Sequence, residues 1–338
     1  MLRRWCLVSC AFALTCGDTP PTGIWIDGEP IQVIDMHLHP ADWDQMPQQL
    51  RTFIAERLPW PLLLRPERFV KRSLSADGIV DELDKAGIDT GVIFAVYSPR
   101  TVGIASNQLI QEGVGEHAGR LLGLAAIRLD NWSNDAQSEL EKLEEALGQP
   151  GMIGLELAHA HMHVRMDDAD YFSIYELAGR LGKPVYLHTG TTPFPGVATG
   201  AAYSNPAYIE TAIAAYPQTI FILGHLCYDS ITDEVGELDT CIDLARRYPN
   251  VFLESNTLSF ADSEHAAERM QSVYEAVKAA DVIDRVIYGS GGPQIPGYVA
   301  SYLERSVDAM RSADYNYDEI KAVLHGNFVH LFGAEAGE

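Results

Sequence analysis

The chain has 338 residues, 47% of them hydrophobic, and 47 acidic against 24 basic residues give it a formal net charge of −23. That length suits one large α/β barrel, which commonly runs to ~250 residues before insertions, or two smaller domains. Such an excess of carboxylates repels phosphate backbones, so a nucleic-acid partner is not expected; the acidity suits a soluble enzyme and says nothing of its substrate.

The first residues stand apart from the rest. Arg3 and Arg4 precede an apolar run from Trp5 to Leu14, which Thr15, Cys16, Gly17 and Asp18 end. A basic start, a short apolar stretch and a polar break read as a secretory signal over residues 1–16. The run is too short for a membrane span, which needs ~20 residues. Leu7-Val8-Ser9-Cys10 resembles a lipoprotein box but falls early, whereas Ala13-Leu14-Thr15-Cys16 is better placed and lacks the usual residues before its cysteine. Cys16 is therefore the candidate lipidation site, and the expected location is the periplasm or cell envelope. Only Cys227 and Cys241 lie beyond this segment. Two cysteines make no disulfide framework, and both read as small buried residues.

Residues 17–30 read as a linker to a single domain over 31–338. Eight short runs rich in Val, Ile and Leu follow, at Gln32–Met36, Gly91–Val96, Leu121–Ala126, Met152–Leu157, Pro184–Leu187, Thr219–Leu223, Val251–Glu254 and Arg285–Tyr288. Near-continuous apolar content marks strands buried on both faces of a parallel sheet. Helical spacing recurs between them, over Ser75–Ala86, Asn134–Leu147, Ser173–Leu181, Tyr208–Ala215, Asp233–Arg247 and Glu264–Ala279. Ala86-Gly87 and Leu181-Gly182 carry the glycine that ends a helix. Eight strand–helix repeats predict a closed (β/α)8 TIM barrel. An insertion over residues 40–73, rich in Trp and Pro, follows the first strand, where a long loop commonly serves function. Tyr317–Leu324 and Asn327–Phe332 read as a terminal helix pair packed on the barrel.

Histidines gather at the carboxyl ends of these strands, where barrel enzymes place their active residues. Ile34-Asp35-Met36-His37-Leu38-His39 closes the first strand. Alternation sends His37 and His39 to one side, where two imidazoles can bind one divalent ion. His188 closes the fifth strand and His225 the sixth. Glu156 ends strand four, Glu254 ends strand seven, and Asp229 follows His225, so each could supply a base. In Ala158-His159-Ala160-His161-Met162-His163, His159 could reach the site, while His161 and His163 read as loop or surface residues.

These segments, with Tyr288-Gly289-Ser290 before Pro293 and Gly326-Asn327 before Leu331-Phe332, resemble the amidohydrolase-related family, the branch of the amidohydrolase superfamily that includes aminocarboxymuconate-semialdehyde and resorcylate decarboxylases alongside hydrolases of lactones and esters. The resemblance runs from Asp35 to Phe332. It implies His37, His39 and His188 as ligands of a divalent metal, zinc by family habit, and His225 as the catalytic histidine. The chain departs from the family at Gly291, where the family carries an aspartate that contacts the metal and moves the proton of its bound water. Glu254 is the best-placed replacement base, with Glu156 and His159 as accessory candidates. Three readings follow: a metal-dependent hydrolase of a small ester, lactone or amide; a non-oxidative decarboxylase of an aromatic or unsaturated acid; and a barrel that has lost catalysis and binds a ligand. The partner is a small molecule in each, its identity set by the Pro40–Ser73 and Thr189–Asn205 loops. Relatives with this barrel suggest a homodimer.

Overall fold

The computed structural model describes residues 23–130, 132–229, 236–256 and 266–333. The expected signal segment, Cys16 and the first part of the linker lie outside the described residues, as do the expected helix starts at 233 and 264.

Eight strands form one parallel sheet: β1 Ile34–Leu38, β2 Thr90–Phe94, β3 Leu121–Ala126, β4 Met152–Leu157, β5 Val185–Leu187, β6 Phe221–Leu223, β7 Val251–Glu254 and β8 Val286–Ile287. They pair in sequence order. Backbone bonds close the ring between its ends: Met36 N–H donates to Tyr288 O at 3.0 Å, Gly291 N–H to His37 O at 2.9 Å and His39 N–H to Gly292 O at 2.8 Å. The TIM barrel expected from the strand–helix rhythm is the observed fold.

The helices of the described residues include α1 Gln48–Arg57, α2 Pro66–Ser73, α3 Ala76–Ala86, α4 Asn107–Glu116, α5 Trp132–Leu147, α6 Phe172–Leu181, α7 Glu210–Ala215, α8 Leu238–Arg247, α9 Ala266–Ala279 and α10 Tyr298–Ser312. Local chemistry fixes their ends. The Ser75 side chain accepts from Gly78 N–H to start α3, and Gly87 and Gly182 adopt left-handed conformations to stop α3 and α6. Between β1 and α3, the long insertion is ordered as α1, α2 and two 3-10 turns. None of the helices described is long and apolar enough to cross a membrane.

Apolar side chains divide into three clusters. One lies between strands and outer helices, holding Leu38, Leu83, Leu155 and Leu187. A second fills the barrel from Ile34, Met36, Phe94, Tyr186, Ile222 and Phe252, and Phe328 and Phe332 join it. The C-terminal segments thus plug the barrel, Tyr317–Lys321 and Asn327–Phe332 being joined by a π-helical turn over Ala322–Gly326. The third cluster belongs to the insertion, around Met46, Leu50, Leu58, Phe69 and Val70.

Two expectations need correction. The supposed linker forms an antiparallel hairpin from Ile24–Ile26 to Glu29–Ile31. Its two-residue turn, Asp27-Gly28 with both φ positive, is a strong hairpin signal, and Ile26 and Ile31 are buried beneath it. Cys227 and Cys241 are not isolated thiols but a disulfide with Cα atoms 6.4 Å apart. The chain turns back after β6 so that α8 lies over the end of that strand, and this return brings the two cysteines together. Closing a loop of 14 positions stabilises by roughly 3 kcal/mol. Cys241→Ser is accordingly expected to lower stability by about 3 kcal/mol in urea unfolding, a loss that reduction of the wild-type protein should reproduce.

Candidate metal centre and active site

In-register pairing builds the site. Leu187, Leu223 and Leu253 lie level across β5, β6 and β7, so His188, Gly224 and Glu254 form the next layer upward. Glu156 is level with Tyr186, one layer below. On β1 simple alternation does not operate. Ile34 and Met36 face the barrel interior, and a register shift between Asp35 and Leu38 turns His37 inward as well. Its ring stacks on Phe94 at 4.8 Å, with 8° between planes.

Four imidazoles meet there. His37 Nε2 lies 2.8 Å from His39 Nε2, and His225 Nε2 lies 3.0 Å from His188 Nδ1. The His37 and His225 rings are 4.9 Å apart. Burial holds His39 and His188 well below the ordinary histidine pKa and brings His225 to about 3. Ring nitrogens thus face one another across the cluster, a set of donors that a divalent cation could draw on. His188 Nε2 has no hydrogen-bond partner among the described residues in its buried position. One ligand atom each from His37, His225 and Glu254 also lies within 4.8 Å of the others, a spacing that can hold a metal ion. The residues present therefore fit a divalent ion.

Glu254 organises this cluster. Its Oε2 lies 3.1 Å from His37 Nδ1 and accepts from Tyr186 O–H at 3.0 Å and His225 N–H at 3.1 Å; Oε1 accepts from Asn256 N–H at 2.7 Å. Burial raises its pKa, but His37 beside it and the hydrogen bonds from the His37 ring and the His225 backbone outweigh burial and lower it. With four donors filling its lone pairs, Glu254 is better suited to fixing the His37 ring, so that Nε2 faces the site, than to taking protons. His225 opens a left-handed run, with φ of 61°, 45° and 59° at His225, Leu226 and Cys227. Such conformations cost about 1–3 kcal/mol each and concentrate at functional sites. Gly224 permits the turn, since an added Cβ would strike the Tyr186 hydroxyl.

Gly291 has φ of 70°, and a Cβ there would run into the Asn256 amide. The space open to a strand-eight aspartate is thus taken by Asn256, whose Oδ1 lies 3.3 Å from His225 Nδ1. Asp35 was not singled out from sequence, yet it is fully buried. Burial pushes its pKa to about 6, against bonds from Ser290 and His37, and it ties β1 to β8 by accepting from Ser290 N–H at 2.9 Å. Tyr186 and Asn256 were also missed; each lies two positions from a recognised residue, and strand alternation could have found both.

The histidine tract after β4 sorts differently from expectation. His161 is no surface residue: it is buried in the short helix His159–Met162, lines the cavity and meets the His188 ring edge-on at 5.0 Å. His159 does not line the cavity and instead pairs with the Tyr175 hydroxyl at 3.2 Å, against α6. The helical turn is the reason, because it rotates the two rings apart where a strand or loop would leave them parallel. His163 is exposed, as expected. Asp229 accepts from the Thr191 hydroxyl and lies outside the cavity lining.

Two tests follow. Gly291→Asp is expected to destabilise by about 1–2 kcal/mol, with recovery in the Gly291→Asp/Asn256→Gly double variant, both read by urea unfolding. Burial lowers the His159 pKa from 6.5 to about 4. The unfolded chain therefore binds the proton first, so the stability from the neutral ring is whole above pH 6.5 and is lost as pH falls toward 4. His159→Gln should flatten the stability profile across that window.

The amidohydrolase family profile matches residues 34–334. No curated protein is similar enough in sequence to match. Among solved structures, an uncharacterised TIM-barrel protein from Bordetella bronchiseptica superposes with a TM-score of 0.65 at 19% identity, covering 91% of this chain and 100% of its own. A dihydroxybenzoic acid decarboxylase from Polaromonas sp. JS666, solved with manganese and 2-nitroresorcinol, gives 0.60 at 18% identity, covering 90% and 97%. A 5-carboxyvanillate decarboxylase from Sphingomonas paucimobilis gives 0.56 at 14%, covering 89% and 99%. The barrel is common to all three, and the profile match across nearly the whole barrel shows that this chain belongs to the amidohydrolase family.

Proposed function

We propose that this protein is a metal-dependent, non-oxidative decarboxylase of an aromatic or unsaturated acid. The observation that carries this reading is Glu156. It lines the cavity with His39, His188 and His225, is buried, and makes no hydrogen bond among the described residues. Burial raises its pKa to about 8, so at neutral pH it holds a proton.

Replacing a carboxylate by hydrogen needs a proton donor beside the carbon that CO2 leaves, and Glu156 offers one. As the C–C bond breaks, its electron pair stays on the substrate carbon and takes the Glu156 proton; Glu156 then recovers a proton from solvent. Hydrolysis, by contrast, needs a base with a free lone pair to activate water. Glu254 is saturated by donors and Gly291 supplies no carboxylate. His37, His39 and His188 would hold the divalent ion, with His225 hydrogen-bonding the substrate oxygen. The ion is zinc by the family resemblance, and manganese is bound in the Polaromonas decarboxylase. When bound it supplies positive charge to the carboxylate and a neighbouring oxygen. Glu254 orients His37 and, through its backbone bonds, the turn bearing His225. Export and lipid attachment at Cys16 belong to the same proposal and are read by the mass of the mature N-terminus.

The test is CO2 release from hydroxylated and alkylated benzoates by protein loaded with zinc or manganese. Glu156→Gln is expected to lower kcat by 10²–10³-fold, the usual range for a positioned acid, with KM little changed. Chelation should abolish turnover in the wild type. Cleavage of esters or lactones with no CO2 from any acid would overturn this reading in favour of the hydrolase. Ligand binding with no turnover would favour the non-catalytic barrel.

A further inference from the structure

The cavity above the histidines has a volume of about 340 Å³, within the range of pockets that enclose drug-sized ligands, about 300–1,000 Å³. Its two ends differ in chemistry and in origin. The floor is the set of strand-end groups already described. The insertion supplies a large share of the remaining wall, chiefly Leu50, Phe53, Ile54, Leu58 and Phe69, and Phe194 packs against Phe53 beside it. These side chains form their own apolar cluster, separate from both barrel cores.

The polar exceptions in this wall are engaged, exposed or uncharged. Asp42 accepts from Asp44 N–H at 2.9 Å to start a 3-10 turn. The Tyr298 hydroxyl donates to Ser290 O at 3.3 Å. Arg57 is exposed and lies 3.5 Å over the Phe53 ring. Gln294 is neutral and half-buried. Among the described residues, no buried cation stands in the wall to receive a second carboxylate, and no row of donors to receive several hydroxyls.

We propose that the insertion forms a subsite for an extended apolar body, so that the substrate is an amphiphilic monocarboxylic acid, an aromatic acid bearing an alkyl chain or fused hydrocarbon, rather than a small hydroxylated benzoate. The assignment of the head group rests on the decarboxylase reading; the apolar subsite does not. A body in this subsite would exchange water for Leu, Ile and Phe side chains, and its affinity would grow with each carbon that reaches the wall.

The experiment is calorimetric binding of 4-methyl-, 4-butyl- and 4-octylbenzoate to the full-length, manganese-loaded protein. 4-Octylbenzyl alcohol, which lacks the carboxylate, serves as a further probe. Affinity is expected to rise up to about fourfold per methylene until the chamber is full, and the octyl alcohol should bind as well. Val102 also lines the cavity beside the insertion; Val102→Phe, which fills the chamber, and Ile54→Gln, which makes its wall polar, should each remove at least tenfold of the octyl advantage and leave 4-methylbenzoate binding unchanged. Both side chains are half-buried, and retained 4-methylbenzoate binding reports that the fold survives. Affinity independent of chain length, or an octyl advantage untouched by both variants, would overturn the proposal. Chain-length dependence without CO2 release would uphold the subsite and sink the decarboxylase reading; CO2 release without chain-length dependence would do the reverse.

Discussion

One buried carboxylate holds the centre of this molecule together. Glu254 is wholly enclosed, and an ionised carboxylate in such a place is costly unless every lone pair is met. Here a ring nitrogen, a phenol and two backbone amides, from β1, β5, the turn after β6 and the end of β7, converge on it. Removing any of these donors would leave charge unpaired in an apolar barrel, so the carboxylate fixes the relative positions of four segments of chain. The same contacts commit it to a structural part. A group that must stay ionised to hold its neighbours is a poor shuttle for protons, which favours the proposed acid, Glu156, a residue that makes no hydrogen bond among the described residues.

Where the family resemblance implies an aspartate after strand eight, the glycine found there is matched in space rather than in sequence. Asn256 fills the volume beside Gly291, and the conformation at Gly291 suits glycine. The end of one neighbouring strand thus supplies both bulk, from Asn256, and negative charge, from Glu254. Both lie at the end of β7, and the parallel register carries them to the histidines.

Much of this was legible beforehand for a physical reason. Parallel strands buried on both faces leave an unbroken apolar signal, and the end of each is where the chain first becomes polar, so His188, His225 and Glu254 were marked by position. What escaped depends on departures from regular geometry. The shift in β1 turns His37 inward although Met36 already faces that way, and no pattern of period two encodes it. The helical turn after β4 parts His159 from His161, which the alternating tract conceals. The cysteine pair depends on how the chain folds back between β6 and α8, a distance that spacing alone does not give. The Asp27-Gly28 hairpin is a different case, because its turn signal was present and was read as linker.

The separation of the three apolar clusters has a consequence for descent. Residues that would hold the ion and move the proton stand on strand ends, where a change disturbs the packed barrel. Residues of the proposed apolar subsite lie largely on the insertion, which has a core of its own that Phe194 joins from the loop after β5. Mutations in Leu50, Ile54 or Phe194 can therefore alter what is accepted while the barrel beneath keeps its stability, and selection on diet and selection on foldedness act on different stretches of the gene.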